Sequence, residues 1–348
     1  MLPRERVFRT LDFKAPDILP VEFHPSAAGM NEHGEKLRDL FARFGQDFGD
    51  PREFRLARAD PRDVGPDGRY LRREQDFWGV EWEYKFFGIA GHPVRRPLDD
   101  WANWDNWVRQ HPPEPPPLSE AERARTHAAA QRHMQTYFLK NGWGSILEAM
   151  AAVRRFEDVL IDLETDAPEI HRLADHFLAF QLKQIDFLLA RGVDAVQLAD
   201  DFGTQEALLL SPKIWRRFFR PRYAEMIKPI KKAGKLVFFH SCGQVAGLLD
   251  DLAELGVNAI WPQLPLYDAG ALAAACRRNR VACALQLDRS HLMTYGTPAQ
   301  VREAVQRSAR EFRVEEGGFW YYVEIDNGFP WENVRALVET IGELRGNC

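Results

Sequence analysis

The tetrapeptide His240-Ser-Cys-Gly243 sets an imidazole and a thiol two residues apart, directly after the apolar run Leu236-Val-Phe-Phe239. A short run without polar interruption reads as a strand buried on both faces. Residues two apart on a strand face the same side, so both donors can reach one ion. Imidazole with thiolate suits zinc, which takes three protein ligands and keeps a fourth position open when its role is catalytic. A His-x-Cys pair alone is equally compatible with core packing; the neighbouring strand ends favour a site. Asp200 and Asp201 follow the run Ala195 to Ala199, Asp288 follows Val281 to Leu287, and Glu324 and Asp326 close the run from Phe319 to Ile325. Glu324 is the expected third ligand, with Asp288 or Asp326 behind it, while Asp200 or Asp201 could orient His240 from outside the ligand set. His24 and Trp261-Pro262-Gln263 are expected at the same mouth. Cys283 begins a strand and Cys276 lies on a helix, so both are expected to be buried thiols away from the site.

These residues converge only if the strands run parallel. The carboxy-terminal two-thirds alternates short apolar runs with helical patterns, the rhythm of βαβ units. Asp166-Ala-Pro168 is expected to open a helix, with Asp166 as its cap and an early proline, that stops at Arg191-Gly192; Ser211-Pro212 caps another ending at Ala233-Gly234. Helices are expected over 245–255, 268–278, from Thr297-Pro298 to Phe312, and from Trp331 to Leu344, with a strand from Ala259 to Trp261 between the first two. The fold class predicted is α/β, a (β/α)8 TIM barrel, whose sites lie where the carboxyl ends of the strands meet. Residues 1–348 are read as one domain, with 143–345 as the barrel core. Ile18 to Phe23 is a first strand ending at His24. Residues 26–118 then form a large irregular insertion with small strands near 77–87 and an extended Pro112 to Pro117. Ser119 and Glu122 have capping-box spacing and start a helix expected to reach Leu139. Trp78, Trp82, Trp101, Trp104 and Trp107 either form a hydrophobic minicore or border the mouth.

Composition narrows the partners. Among 348 residues, 46 basic and 51 acidic side chains are interspersed for a net charge of −5, which gives no positive field of the sort nucleic-acid binding requires. The run Arg216, Arg217, Arg220, Arg222 reads as a solvated helix face. No apolar stretch reaches the length of a membrane span. The four cysteines, Cys242, Cys276, Cys283 and Cys348, show no disulfide framework, and Met1-Leu-Pro-Arg-Glu-Arg6 is not a signal peptide; the expected location is the cytoplasm.

At these residues the chain resembles the uroporphyrinogen-decarboxylase-like superfamily. The resemblance rests on Leu198-Ala-Asp-Asp-Phe-Gly-Thr-Gln205, on Ser211-Pro-Lys-Ile-Trp-Arg-Arg-Phe-Phe-Arg-Pro-Arg-Tyr223 and on Phe239-His-Ser-Cys-Gly-Gln244. It extends more loosely from 143 to 345, through Arg155-Phe-Glu157 and Gly296-Thr-Pro298. Within the superfamily the chain is similar to the corrinoid-linked methyltransferases, which bear a His-x-Cys zinc motif on a barrel strand. The resemblance implies zinc at His240 and Cys242; the strand ends add Glu324 as the expected third ligand, and Asp200, Asp201, Gln205 and Asp288 are the candidate catalytic residues. The resemblance also implies methyl transfer between a small molecule and cobalamin. No Asp-x-His-x-x-Gly motif is present, so the cobalamin would arrive on a separate corrinoid protein.

Family members that activate coenzyme M have a third, cysteine ligand near the last strand, where this chain reads Tyr322-Val-Glu-Ile-Asp326. A carboxylate ligand makes zinc harder and favours oxygen or nitrogen chemistry, which points to an O-demethylase component. The alternatives are a porphyrinogen decarboxylase needing no metal, a silent partner barrel for a corrinoid domain, and a divalent-metal isomerase or aldolase. Gly68-Arg-Tyr-Leu71 looks like a decarboxylase segment but lies inside the insertion, away from the first strand.

Overall fold

The computed structural model describes residues 1–346; Cys348 lies outside them. In chain order the strands are β1 (Val21–His24), β2 (Arg72–Gln75), β3 (Glu81–Tyr84), β4 (His92–Arg95), β5 (Lys140–Gly144), β6 (Ala195–Ala199), β7 (Leu236–Ser241), β8 (Ala259–Pro262), β9 (Ala282–Leu285) and β10 (Phe319–Glu324). Seven form one sheet in the order β1-β10-β9-β8-β7-β6-β5, with every neighbouring pair parallel. Helices connect consecutive strands from β5 onward. The result is an α/β, TIM-barrel-like fold with all strand carboxyl ends on one rim.

Among the described residues this sheet has seven strands, not the eight expected, and no ladder joins β1 to β5. Residues 46–48 sit in that seam. Val21 and Asp47 exchange hydrogen bonds: Asp47 N–H donates to Val21 O at 3.0 Å, and Val21 N–H donates to the Asp47 carboxylate at 2.9 Å. Phe23 N–H donates to Gln46 Oε1 at 2.8 Å, and Phe138 N–H to Asp47 O at 3.0 Å. Side chains therefore supply half of what a strand would have supplied. Lys140 and Glu22 close the gap higher up, 2.8 Å apart.

Strand alternation sorts the side chains into an outer face against the helices and an inner face. The inner face starts with a packed layer of Ala195, Phe238, Ala259, Ala282, Ala284 and Trp320, over which Val7 and Leu11 of the helix Pro3–Leu11 close the amino end. Four alanines among the large rings make room for them. The next inward positions carry Glu22, Lys140, His240, Trp261 and Tyr322, where the chain turns from apolar to polar.

The amino-terminal third contains the helices Ala27–His33 and Glu35–Phe44 and the antiparallel sheet β2-β3-β4. The tryptophans form a minicore on the helix Pro168–Arg191: Trp78 lies 5.9 Å from Trp107 and 5.0 Å from Phe177, and Trp104 lies 5.9 Å from Trp107, between ring centres. Two local expectations fail. Asp166 does not cap the helix Pro168–Arg191; it ends the preceding helix Phe156–Thr165 in the left-handed region at φ 57°, and Ala167 is the cap. The helix Glu120–Met134 has its capping box but stops short of Leu139, because Lys140-Asn-Gly-Trp-Gly144 is strand β5. Three residues of the arginine run keep the solvated face expected of them, and each is ion-paired: Arg216 with Asp251, Arg217 with Asp166 and Arg220 with Glu254; Arg222, paired with Asp175, is the one mostly covered. No described helix is long and apolar enough to cross a membrane.

Candidate metal centre

Asp201, His240 and Cys242 each bring one ligand atom to within 4.8 Å of the others. His240 and Cys242 are the inward positions at the end of β7, and Asp201 follows β6 on the adjacent strand. Two glycines bring the loops together. A Cβ on Gly203 would lie 2.5 Å from the Gly243 carbonyl carbon, and Gly243 sits at φ +78°, so side chains at either position would force the backbones apart. The contact lets Cys242 N–H donate to Asp201 Oδ1 at 2.7 Å.

His240 Nδ1 lies 2.7 Å from the Trp261 carbonyl oxygen, which can only accept, so Nδ1 carries the proton. The lone pair of Nε2 is then left facing Cys242 Sγ at 3.5 Å and Asp201 Oδ1 at 3.9 Å. Burial pushes the His240 pKa down to about 4, keeping the ring neutral. Burial, then the Asp201 charge, pushes the Cys242 thiol up to about 12. A neutral imidazole lone pair, a thiol that a bound cation would deprotonate, and a carboxylate aimed at both fit a zinc ion. These three would hold it.

The remaining expected residues fall elsewhere. Asp200 points outward and is fully buried; its carboxylate accepts from the N–H groups of Ile146, Leu147 and Glu148, each at 2.8 Å, and from the Tyr223 hydroxyl. Burial raises its pKa to about 6 against those four donors. It therefore caps the helix Leu147–Val153 with no oxygen left for substrate. Glu324 is not in the metal cluster: it takes Arg289 at 3.0 Å and faces His24 at 3.7 Å, while Asp326 takes the other side of the same guanidinium. Arg289 was not anticipated, and it withdraws both carboxylates from ligand duty. Asp288 caps its own loop through Ser290 and His291 N–H, and exposed Gln205 lies 3.5 Å from Gln263, which in turn accepts from Gly243 N–H. Cys276 and Cys283 are buried away from the cluster. Trp261 stacks 4.0 Å from His240 and 4.2 Å from Tyr322.

Glu148 is the residue that sequence reading missed. It belongs to a short helix after β5, and Trp143 Nε1 donates to its Oε2 at 3.2 Å. Burial, then the charges of Asp200 and Asp201, push its pKa up to about 8. A carboxyl raised on folding costs stability as pH climbs from its unfolded value near 4.5 to about 8. Glu148→Gln should therefore leave the metal-free protein unchanged at pH 4 and stabilise it by about 1–2 kcal/mol at pH 9 in urea titrations. Equal effects at both pH values would place Glu148 in a different environment.

A family model described as uroporphyrinogen decarboxylase (URO-D) matches residues 117–344. The chain belongs to the URO-D family. A solved structure of a methyltransferase from Methanosarcina mazei is similar over 99% of this chain and 99% of that one, with a TM-score of 0.60 at 14% identity. A B12-independent methionine synthase from a Shewanella species, in complex with selenomethionine, is similar over 92% of this chain and 87% of that one, with a TM-score of 0.47 at 10% identity. No curated protein matches by sequence.

Proposed function

We propose that residues 1–348 act as one domain, a zinc-dependent methyltransferase that moves a methyl group between a small molecule and the cobalamin of a separate corrinoid protein, with demethylation of a methoxylated compound as the favoured direction. The observation that carries the reading is the meeting of Asp201, His240 and Cys242 within 4.8 Å, with the imidazole lone pair turned to its partners by the Trp261 carbonyl. Zinc held there supplies Lewis acidity to a substrate heteroatom at neutral pH. The family and the methyltransferase likeness support an enzyme on this fold.

The chain's own groups prepare that chemistry. The Trp261 carbonyl holds the His240 proton on Nδ1, so Nε2 stays a donor atom at any pH above about 4. Glu148, whose carboxyl burial raises, would be the group to give a proton to a leaving oxygen near Asp201. The decarboxylase alternative finds less support. Arg289 and Lys140, the cations named at the mouth, are bound to Glu324, Asp326 and Glu22, and Arg69 of the Gly68-Arg-Tyr-Leu71 segment is exposed beside Asp67.

The test is elemental analysis of protein purified without added metal under reducing conditions, followed by spectrophotometry of methylcobalamin formation or loss. About one zinc per chain with metal-dependent methyl transfer is expected. Metal-free protein that takes up no zinc on reconstitution overturns the reading.

A further inference from the structure

Resting on the methyltransferase reading for its reaction but not for its binding, we propose that the substrate carries a free hydroxyl group, separate from the methylated heteroatom, and that this hydroxyl is seated between Glu324 and His24. Their positions follow from the register. His24 lies beside Glu324 at the ends of β1 and β10. Glu22 and Tyr322 face inward one step below them, and strand alternation turns His24 and Glu324 the same way. His240 and Cys242 end β7, which stands four strands from β1 in the sheet order. With the seam as an eighth place, that is half-way round the ring, so the pair looks across the mouth at the metal cluster.

The two side chains leave a gap of definite size and polarity. Glu324 is fixed from one side: its Oε2 accepts from Arg289 Nη1 at 3.0 Å and from Gln286 Nε2 at 3.4 Å, and Gln286 is itself held by Trp261 Nε1 at 2.9 Å. Oε1 takes no hydrogen bond from the described residues, and it faces His24 Nε2 at 3.7 Å. That is too long for a bond between the two, yet one oxygen can stand at about 2.8 Å from both. A carboxylate oxygen only accepts, so the ligand atom must bring a hydrogen to Oε1. Beside a carboxylate the imidazole turns its N–H that way, so the same atom must also accept. A neutral hydroxyl does both, whereas an ether oxygen or a carboxylate cannot donate and an ammonium cannot accept. Tyr322 adds a third group. Its ring centre lies 5.8 Å from that of His24, the side chain is 5% exposed, and its hydroxyl has no hydrogen-bond partner among the described residues. A covered hydroxyl without a partner is uncommon, and this one faces the same lumen, where it can bond the hydroxyl or a neighbouring polar atom of the substrate.

Phenol, anisole and benzoate put different head groups on one ring: donor and acceptor, acceptor alone, and anion. Isothermal titration calorimetry gives their affinities in zinc-loaded and metal-free protein alike, and the His24 ring signals of protein carrying isotope-labelled histidine report the seat by NMR. Phenol should bind at least about tenfold more tightly than anisole or benzoate and should shift the His24 signals. His24→Phe keeps the ring on Tyr322, and Glu324→Ala leaves Arg289 on Asp326, so both variants should fold. In each the preference for phenol should fall to about threefold or less. No phenol binding, equal binding of phenol and anisole, tighter binding of benzoate, unmoved His24 signals, or a preference that survives in both variants overturns the proposal. Zinc uptake with no phenol preference would sink only this inference, while a phenol preference in a protein that never takes up zinc would sink only the metal reading.

Discussion

Cys242→Ala is expected to abolish stoichiometric zinc and to lower methyl transfer by at least about a hundredfold, since removing a ligand costs no less than disturbing the groups that orient one. The thiol lies 3.5 Å from the imidazole nitrogen that must share its ion, and no other described cysteine joins the cluster. The companion variants separate two geometries. Asp201→Ala should lose zinc as Cys242→Ala does, whereas Glu324→Ala should retain it, because Glu324 is occupied by Arg289. Zinc retained in Asp201→Ala and lost in Glu324→Ala would return the third position to β10 and require Arg289 to move. Elemental analysis reads all three.

The second large effect lies at the seam. Asp47 is fully buried, and its carboxylate holds the Arg6 guanidinium, the Arg345 guanidinium at 2.8 Å and the Val21 N–H. Breaking a buried pair leaves uncompensated charge: Arg6 keeps Asp17 at 2.7 Å, but Arg345 would be left with only the Leu19 carbonyl, so Asp47→Ala should cost about 3–5 kcal/mol in urea denaturation. Asp47→Asn, which keeps an acceptor for Val21, should cost less. A loss below about 1 kcal/mol for the alanine variant would mean that water enters the seam and solvates both arginines.

The barrel rhythm was legible from β6 onward because each of those strands is a compact apolar run bounded by a glycine stop or a capped helix. β5 escaped because Lys140-Asn-Gly-Trp-Gly144 has the composition of a turn: Gly142 is held at φ +108°, against the Gln197 backbone, and the ladder to β6 is irregular there. The missing eighth strand was equally hidden, since Asp47 and Gln46 substitute side-chain acceptors for backbone ones and leave no periodic trace. At the site, the i, i+2 rule placed His240 and Cys242 on one face correctly. The same rule applied to Asp200 and Asp201 shows that only one of them can face inward, and the pairing of Ala199 with His240 puts Asp201 there. Glu148 gave no signal, because its position depends on a short helix whose start is set by a carboxylate 52 residues away.

The parallel pairing of β1 with β10 has a temporal consequence during synthesis. The partner of β1 is translated roughly three hundred residues later, so for most of translation the first strand has only its seam contacts, and the Arg345 clasp on Asp47 arrives later still. Asp201, His240 and Cys242 belong to β6, β7 and their loops, which emerge from the ribosome within one short interval. All three candidate ligands are therefore on hand in a half-built sheet, well before the last strand that completes it is made.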